Sequence, residues 1–133
     1  MLATGRFLGL DCVQLANTAL SLLVTRSTGP RVLRLRLHGG DSPFAEVPDF
    51  ALQHPGGGLF RAWGGHRLWH APELARRTYL PDEAPPEIQE TEGGLLVVQA
   101  TEAATGLQKS LRIMLPGDDP SWITSWQTAG CGR

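Results

Sequence analysis

From Leu33 to His38 the chain reads Leu-Arg-Leu-Arg-Leu-His, and this alternation excludes more architectures than any other feature of the sequence. Successive side chains of a β-strand point to opposite faces, so Leu33, Leu35 and Leu37 form an apolar face and Arg34, Arg36 and His38 a polar one. A helix would scatter both sets around its circumference. Two further strand-like runs precede it, Cys12–Asn17 ("CVQLAN") and Ala19–Thr25 ("ALSLLVT"). "RSTG" links the second run to the third as a turn, with Gly29 available for positive φ. The three segments predict an antiparallel meander.

A second block of strands follows later. "GGLLVVQAT" begins at Gly93, where the paired glycines suit a hairpin turn, and "LQKSLRIML" begins at Leu107 after a turn ending at Gly106. In the latter, Leu107, Leu111, Ile113 and Leu115 lean to one face and Gln108, Ser110 and Arg112 to the other, so the two runs read as a hairpin. "PGDDP" breaks the chain, with Asp118 and Asp119 as turn residues, and "SWITSWQT" starts another strand. Between the blocks, from Gly39 to Glu92, periodicity disappears among prolines and the run "HPGGG". Such a long loop-rich insert is more often functional than idle; it has room for short strands and a helical turn near Glu73–Arg77.

Composition agrees. Sixteen glycines and ten prolines in 133 residues favour short elements joined by turns. The length suits a single domain. A net charge of −1 gives no bulk attraction to nucleic acid or anionic lipid, and no apolar run reaches a membrane-spanning length. Cys12 and Cys131 lack CxxC spacing; two reduced cysteines in a cytoplasmic protein is the expectation, a terminus-to-terminus disulfide the alternative. The fold class expected is all-β, two blocks of strands separated by a long loop-rich insert.

The densest chemistry lies in "FRAWGGHRLWHAPE", Phe60–Glu73. His66 and His70 are four apart, but the double glycine before them and Pro72 after them deny the helix that a metal-binding HxxxH pair needs. No metal and no cofactor is expected. Arg67 offers a rigid fork of donors and Trp69 a flat apolar face, the groups that hold sugar hydroxyls and sugar C–H patches. The alternative for this segment is structural: Trp63 and Trp69 plug the end of the sandwich while Arg67 pairs with Glu73. Glu46 is a further carboxylate available for binding. The row Arg34, Arg36 and His38 reads as a solvated strand face.

Together "GLDCVQLANTALSLLVTRSTGPRVLRL", "SPFAEVPD", "GGHRLWHAPE" and "TGLQKSLRIML" resemble the galactose mutarotase-like superfamily, in a branch related to aldose 1-epimerases. The resemblance runs from about Gly9 to Trp122 and is most specific in the GGHRLW…PE stretch. It implies a large antiparallel β-sandwich with a sugar in a cleft on one sheet. In the family's epimerases a histidine acts as general acid on the ring oxygen and a glutamate takes the anomeric proton. The resemblance places His66, the catalytic candidate, and Arg67 at that cleft; Trp69, Glu73 and Glu46, picked for their own chemistry, are the other expected substrate contacts.

Family domains are longer than this chain, and their general-base glutamate comes from a C-terminal part without a counterpart here. The expectation is therefore an incomplete sandwich domain over residues 1–133, an N-terminal piece with unpaired sheet edges open to self-association. Its expected role is carbohydrate binding without the complete catalytic pair. Two alternatives are an active epimerase-like isomerase using Glu46 or Glu73 as base, and a non-catalytic β-sandwich interaction module.

Overall fold

Strand follows strand along nearly the whole of residues 2–130, the part of the chain that the computed structural model describes. In chain order the elements are β1 (Leu2–Phe7), β2 (Leu10–Ala16), β3 (Leu20–Thr25), β4 (Val32–Leu37), β5 (Glu46–Gln53), β6 (Leu59–Gly64), α1 (Ala75–Thr78), β7 (Glu87–Thr91), β8 (Gly94–Val98), β9 (Leu107–Met114) and β10 (Ile123–Gly130). They form two four-stranded antiparallel sheets, ordered β1-β2-β3-β4 and β10-β9-β8-β7, and a separate β5–β6 hairpin. Every pairing within these sheets joins sequence neighbours, through connections short enough for the chain to turn back along its own edge; after β4 and β6 the chain passes to another sheet. Among the described residues no helix is long and apolar enough to cross a membrane.

The two sheets pack face to face as a sandwich. Leu22, Val24 and Val32 from one sheet meet Leu95, Val97, Leu111 and Ile113 from the other, all with no exposed surface. Burial on this scale contributes about 1.5–3 kcal/mol per side chain and accounts for why the alternating runs pair as they do. Leu111, Ile113 and Leu115 face inward as their spacing predicts.

The alternation at Leu33–His38 works out differently. Leu23 pairs with Arg34 but Val24 pairs with Val32, so Leu33 is an extra residue in β4, a bulge that reverses the strand's facing. Val32 and Leu35 therefore meet the inter-sheet core, whereas Leu33 packs with Leu10 and Cys12 on the outer face, beside Phe7 and Trp63. Leu37 is exposed. Arg34 lies on this outer face too, 4.9 Å from the Phe7 ring centroid.

The insert is more structured than its composition suggests. It supplies β5, β6, α1 and β7, with the helical turn where the sequence has room for one. The "RSTG" turn differs from expectation: Gly29 does not adopt positive φ, and its lack of a side chain serves packing. A Cβ there would sit 2.5 Å from Asp82 Oδ2. Cys12 is buried; Cys131 lies outside the described residues, and with it the expectation about the pair.

Candidate functional site

The double glycine of the Phe60–Glu73 segment is explained by where the chain must pass. Trp63, Gly64 and Gly65 all have positive φ, and the strand leaves β6 between the backbone of Ala45 and that of Val32. A Cβ on Gly64 would collide with the Ala45 carbonyl oxygen, and one on Gly65 with the Val32 carbonyl oxygen. The tight passage lets His66 form an antiparallel bridge to Val32, with N–H···O distances of 2.8 and 3.0 Å.

That bridge fixes His66 on the open side of the sandwich, where β4 ends one sheet and β10 ends the other. Its ring stacks near Phe44, meets Trp122 edge-on, and accepts a 2.8 Å hydrogen bond at Nε2 from Trp126 Nε1. An indole N–H only donates, so Nε2 is the bare nitrogen and the proton of the neutral ring sits on Nδ1. Burial among these rings lowers the pKa of His66. The surroundings favour a neutral acceptor over a charged proton donor.

Arg67 points elsewhere. Its side chain is almost fully buried, with the guanidinium carbon 4.8 Å from the Phe60 centroid and 4.4 Å from the Trp69 centroid. Its charge is met by Asp82 at 3.7 Å, and the same carboxylate oxygen receives Arg31 Nη2 at 2.7 Å. Arg31, with no exposure, also donates to the Ala62 carbonyl, while the Asp82 carbonyl accepts from Thr28 Oγ1 and the Gly29 N–H. Burial pulls the pKa of Arg67 down to about 10, against the pull of Asp82 and with a further push from Arg31. Two arginines on one carboxylate make this a structural knot.

The other sequence-picked residues divide. Trp69 packs against Phe60 and Tyr79 and leaves 47% of its surface exposed. Glu73 accepts a hydrogen bond from the Tyr79 hydroxyl and does not pair with Arg67. Arg67, Trp69 and, through Tyr79, Glu73 are thus gathered together. Glu46, at the start of β5, pairs instead with Arg34 at 3.4 Å. His66 and His70 have different partners, and among the described residues no three His, Cys, Asp or Glu side chains converge as metal ligands.

Beside the Arg67 knot opens a cleft of about 960 Å³, walled by His54, His70, Arg76, Arg77, Glu102 and Thr105 among others. Its polar centre is Glu102, on the connection between β8 and β9. Oε2 takes hydrogen bonds from His70 Nε2 at 2.9 Å and Thr105 Oγ1 at 2.6 Å; Oε1 takes Lys109 Nζ at 2.9 Å and Gln99 Nε2 at 3.0 Å. Burial by itself would raise the pKa of this carboxyl. The donors Thr105, Gln99 and Lys109, with the Lys109 charge, outweigh burial and hold it at about 2. Glu102 is therefore a permanently ionised acceptor near neutral pH.

The opposite wall is equally fixed. His54 Nδ1 accepts from the Gly56 N–H at 3.0 Å, so its Nε2–H donates to the Arg76 carbonyl at 2.9 Å. Arg77 Nη2 donates to the Pro72 carbonyl at 2.8 Å. Sequence reasoning weighed His70 only as a metal ligand and passed over Glu102 and Lys109. Lys109 carried the signal: it occupies an inward position of β9, between Leu107 and Leu111, where a cation requires a buried partner.

Comparisons with protein-family models, with curated proteins and with solved structures found no match to this chain.

Proposed function

We propose that this chain binds a carbohydrate in the cleft beside Glu102 and does not epimerise it. The observation that carries the reading is the pinned Glu102 carboxylate: four neighbours fix it in a cleft whose volume falls in the range of about 300–1,000 Å³ typical of small-molecule sites. Sugars present many hydroxyls, and planar acceptors and donors held rigidly select among them. Arg76 and Arg77 supply donors and Thr105 a hydroxyl, while Glu102, with its acceptor sites filled by His70, Thr105, Lys109 and Gln99, holds that wall rigid. The resemblance to the galactose mutarotase-like superfamily supports carbohydrate binding as such, although the His66 and Arg67 it points to do not line this cleft, and a cytoplasmic setting belongs to the reading.

Epimerisation needs an acid and a base on opposite sides of one sugar. His70 and Glu102 touch each other, which leaves no room for a ring between them. A carboxylate held at about 2 is a weak base near neutral pH. His66 has its Nε2 engaged by Trp126.

Titration with a sugar panel followed by tryptophan fluorescence tests the proposal. A saturable response is expected, weakened by Glu102→Ala; a flat response across the panel overturns carbohydrate binding. Polarimetry of glucose and galactose should show no accelerated mutarotation, and acceleration abolished by His66→Ala overturns the non-catalytic part. One observation favours a second reading, a protein-interaction module: Phe50, Leu52 and Leu59 of the β5–β6 hairpin are exposed, as are Trp69 and Leu74. Concentration-dependent association together with a flat sugar response would favour it.

A further inference from the structure

We infer that the carbohydrate is an acidic one, whose carboxylate or phosphate group is held by Arg76 and Arg77. The inference rests on the sugar-binding reading above and specifies its ligand. It starts from the charges along the cleft wall. Glu102 is the one carboxylate among the lining residues, and Lys109 already neutralises it at 2.9 Å while His70 hydrogen-bonds it. Arg76 and Arg77 are left over.

Arg31 and Arg67 meet Asp82, Arg34 meets Glu46, and Arg61 meets Glu83, whereas Arg26, Arg36 and Arg112 form no ion pair among the described residues; Arg76 and Arg77 differ from these in lining one cleft together. Among the described residues neither Arg76 nor Arg77 forms an ion pair. The nearby Glu73 is engaged by Tyr79. The cleft therefore carries an uncompensated positive wall, and a cavity with low-dielectric walls focuses that potential on whatever enters.

The backbone that carries both is fixed, since the His54 ring ties the Arg76 carbonyl to the turn at Gly56, and the Arg77 guanidinium is itself held through Nη2 on the Pro72 carbonyl. Arg77 Nε is buried without a hydrogen-bond partner, an unmet donor on a guanidinium already in place. A guanidinium fork presents paired N–H donors at the spacing of carboxylate or phosphate oxygens, and Arg76 and Arg77 both line the cleft. Preorganisation of this kind lowers the entropy lost when the anion docks. The sugar hydroxyls would then lie toward His70 and Thr105, which Glu102 holds in place.

The test is calorimetry on the full chain with glucose, glucuronate, glucose 6-phosphate and inorganic phosphate. At least one acidic sugar should bind about ten-fold tighter than glucose or better, with a preference that weakens as salt rises. Which of glucuronate and glucose 6-phosphate binds better identifies the anionic group. In Arg76→Gln, an exposed position whose replacement spares the Arg77 anchor, the ratio of acidic to neutral affinity should fall toward one; Arg76→Gln/Arg77→Gln should abolish the preference, with circular dichroism verifying the fold. Glucose binding as tightly as both acidic sugars overturns this inference and leaves carbohydrate binding standing. Inorganic phosphate binding as tightly as glucose 6-phosphate overturns it in favour of a bare anion site. Binding of none of the four overturns it too, and if neutral sugars outside this set also fail, the carbohydrate reading falls with it.

Discussion

His70 and Glu102, 32 residues apart, share a 2.9 Å hydrogen bond in the cleft wall, and the same carboxylate receives Lys109, Gln99 and Thr105. Such saturation makes the charged form of Glu102 part of the folded state. Its carboxyl titrates at about 2 when folded against an ordinary 4.5. The unfolded chain therefore takes up the proton first as acid is added. The stabilisation from Glu102 is full above about pH 4.5 and is lost progressively as the pH falls toward about 2. Urea titrations of wild type and Glu102→Gln should show a stability gap near neutral pH that narrows through this window. A gap independent of pH contradicts the assignment.

Asp82 should be the costliest polar residue to neutralise. Asp82→Asn leaves Arg31, wholly buried, and Arg67, nearly so, without their shared countercharge. Breaking a buried pair from one side costs about 3–5 kcal/mol. Arg67→Met retains the Arg31–Asp82 pair and loses chiefly the contacts with Phe60 and Trp69, each worth about 0.5–2 kcal/mol. Chemical denaturation should rank the two variants in that order. Equal losses would mean that the carboxylate is not shared.

What the sequence reveals follows from what each strand buries. β2, β3, β8 and β9 bury one face in the common core, so their alternation survives in the residue order. β5 does not: its pairing with β6 shifts between Val47 and Ala51, Pro48 interrupts it, and the hairpin leaves Phe50 and Leu52 exposed. The bulge at Leu33 is invisible for a related reason, since one inserted residue leaves the Leu-Arg pattern intact while turning it over. Arg67 and Trp69 were legible as a pair because they are two residues apart. The Glu102 cluster was not, because it joins His70 to a segment, "EAATG", that reads as an ordinary turn.

His66 should titrate below the ordinary histidine range. Its folded pKa is lowered from 6.5 by burial, and the hydrogen bond from Trp126 needs a bare Nε2. The unfolded chain thus binds the proton more readily. The contribution of neutral His66 to stability is present above about pH 6.5 and falls away as the pH drops below that value. An NMR titration should give the His66 ring a midpoint under 6.5, with the Trp126 indole N–H shift moving at the same midpoint. A midpoint at or above 6.5 would overturn this placement of the ring.

The double glycine can be tested for architecture against ligand access with a matched control. Gly65 has φ +77 and Gly93 has φ +72, but only Gly65 is crowded by the Val32 backbone; nothing lies within 4 Å of a Cβ on Gly93. Gly93→Ala in the β7–β8 turn should cost only the left-handed backbone penalty, about 1–2 kcal/mol. Gly65→Ala should add a steric term of about 1–3 kcal/mol, because the Val32–His66 bridge must open to admit the methyl group. Denaturation midpoints should therefore separate the two variants clearly. If Gly65→Ala matched Gly93→Ala in stability yet abolished sugar binding, the glycines would belong to the ligand. The greater loss predicted for Gly65 instead makes them the point at which β6 is drawn against β4 and the sandwich is closed.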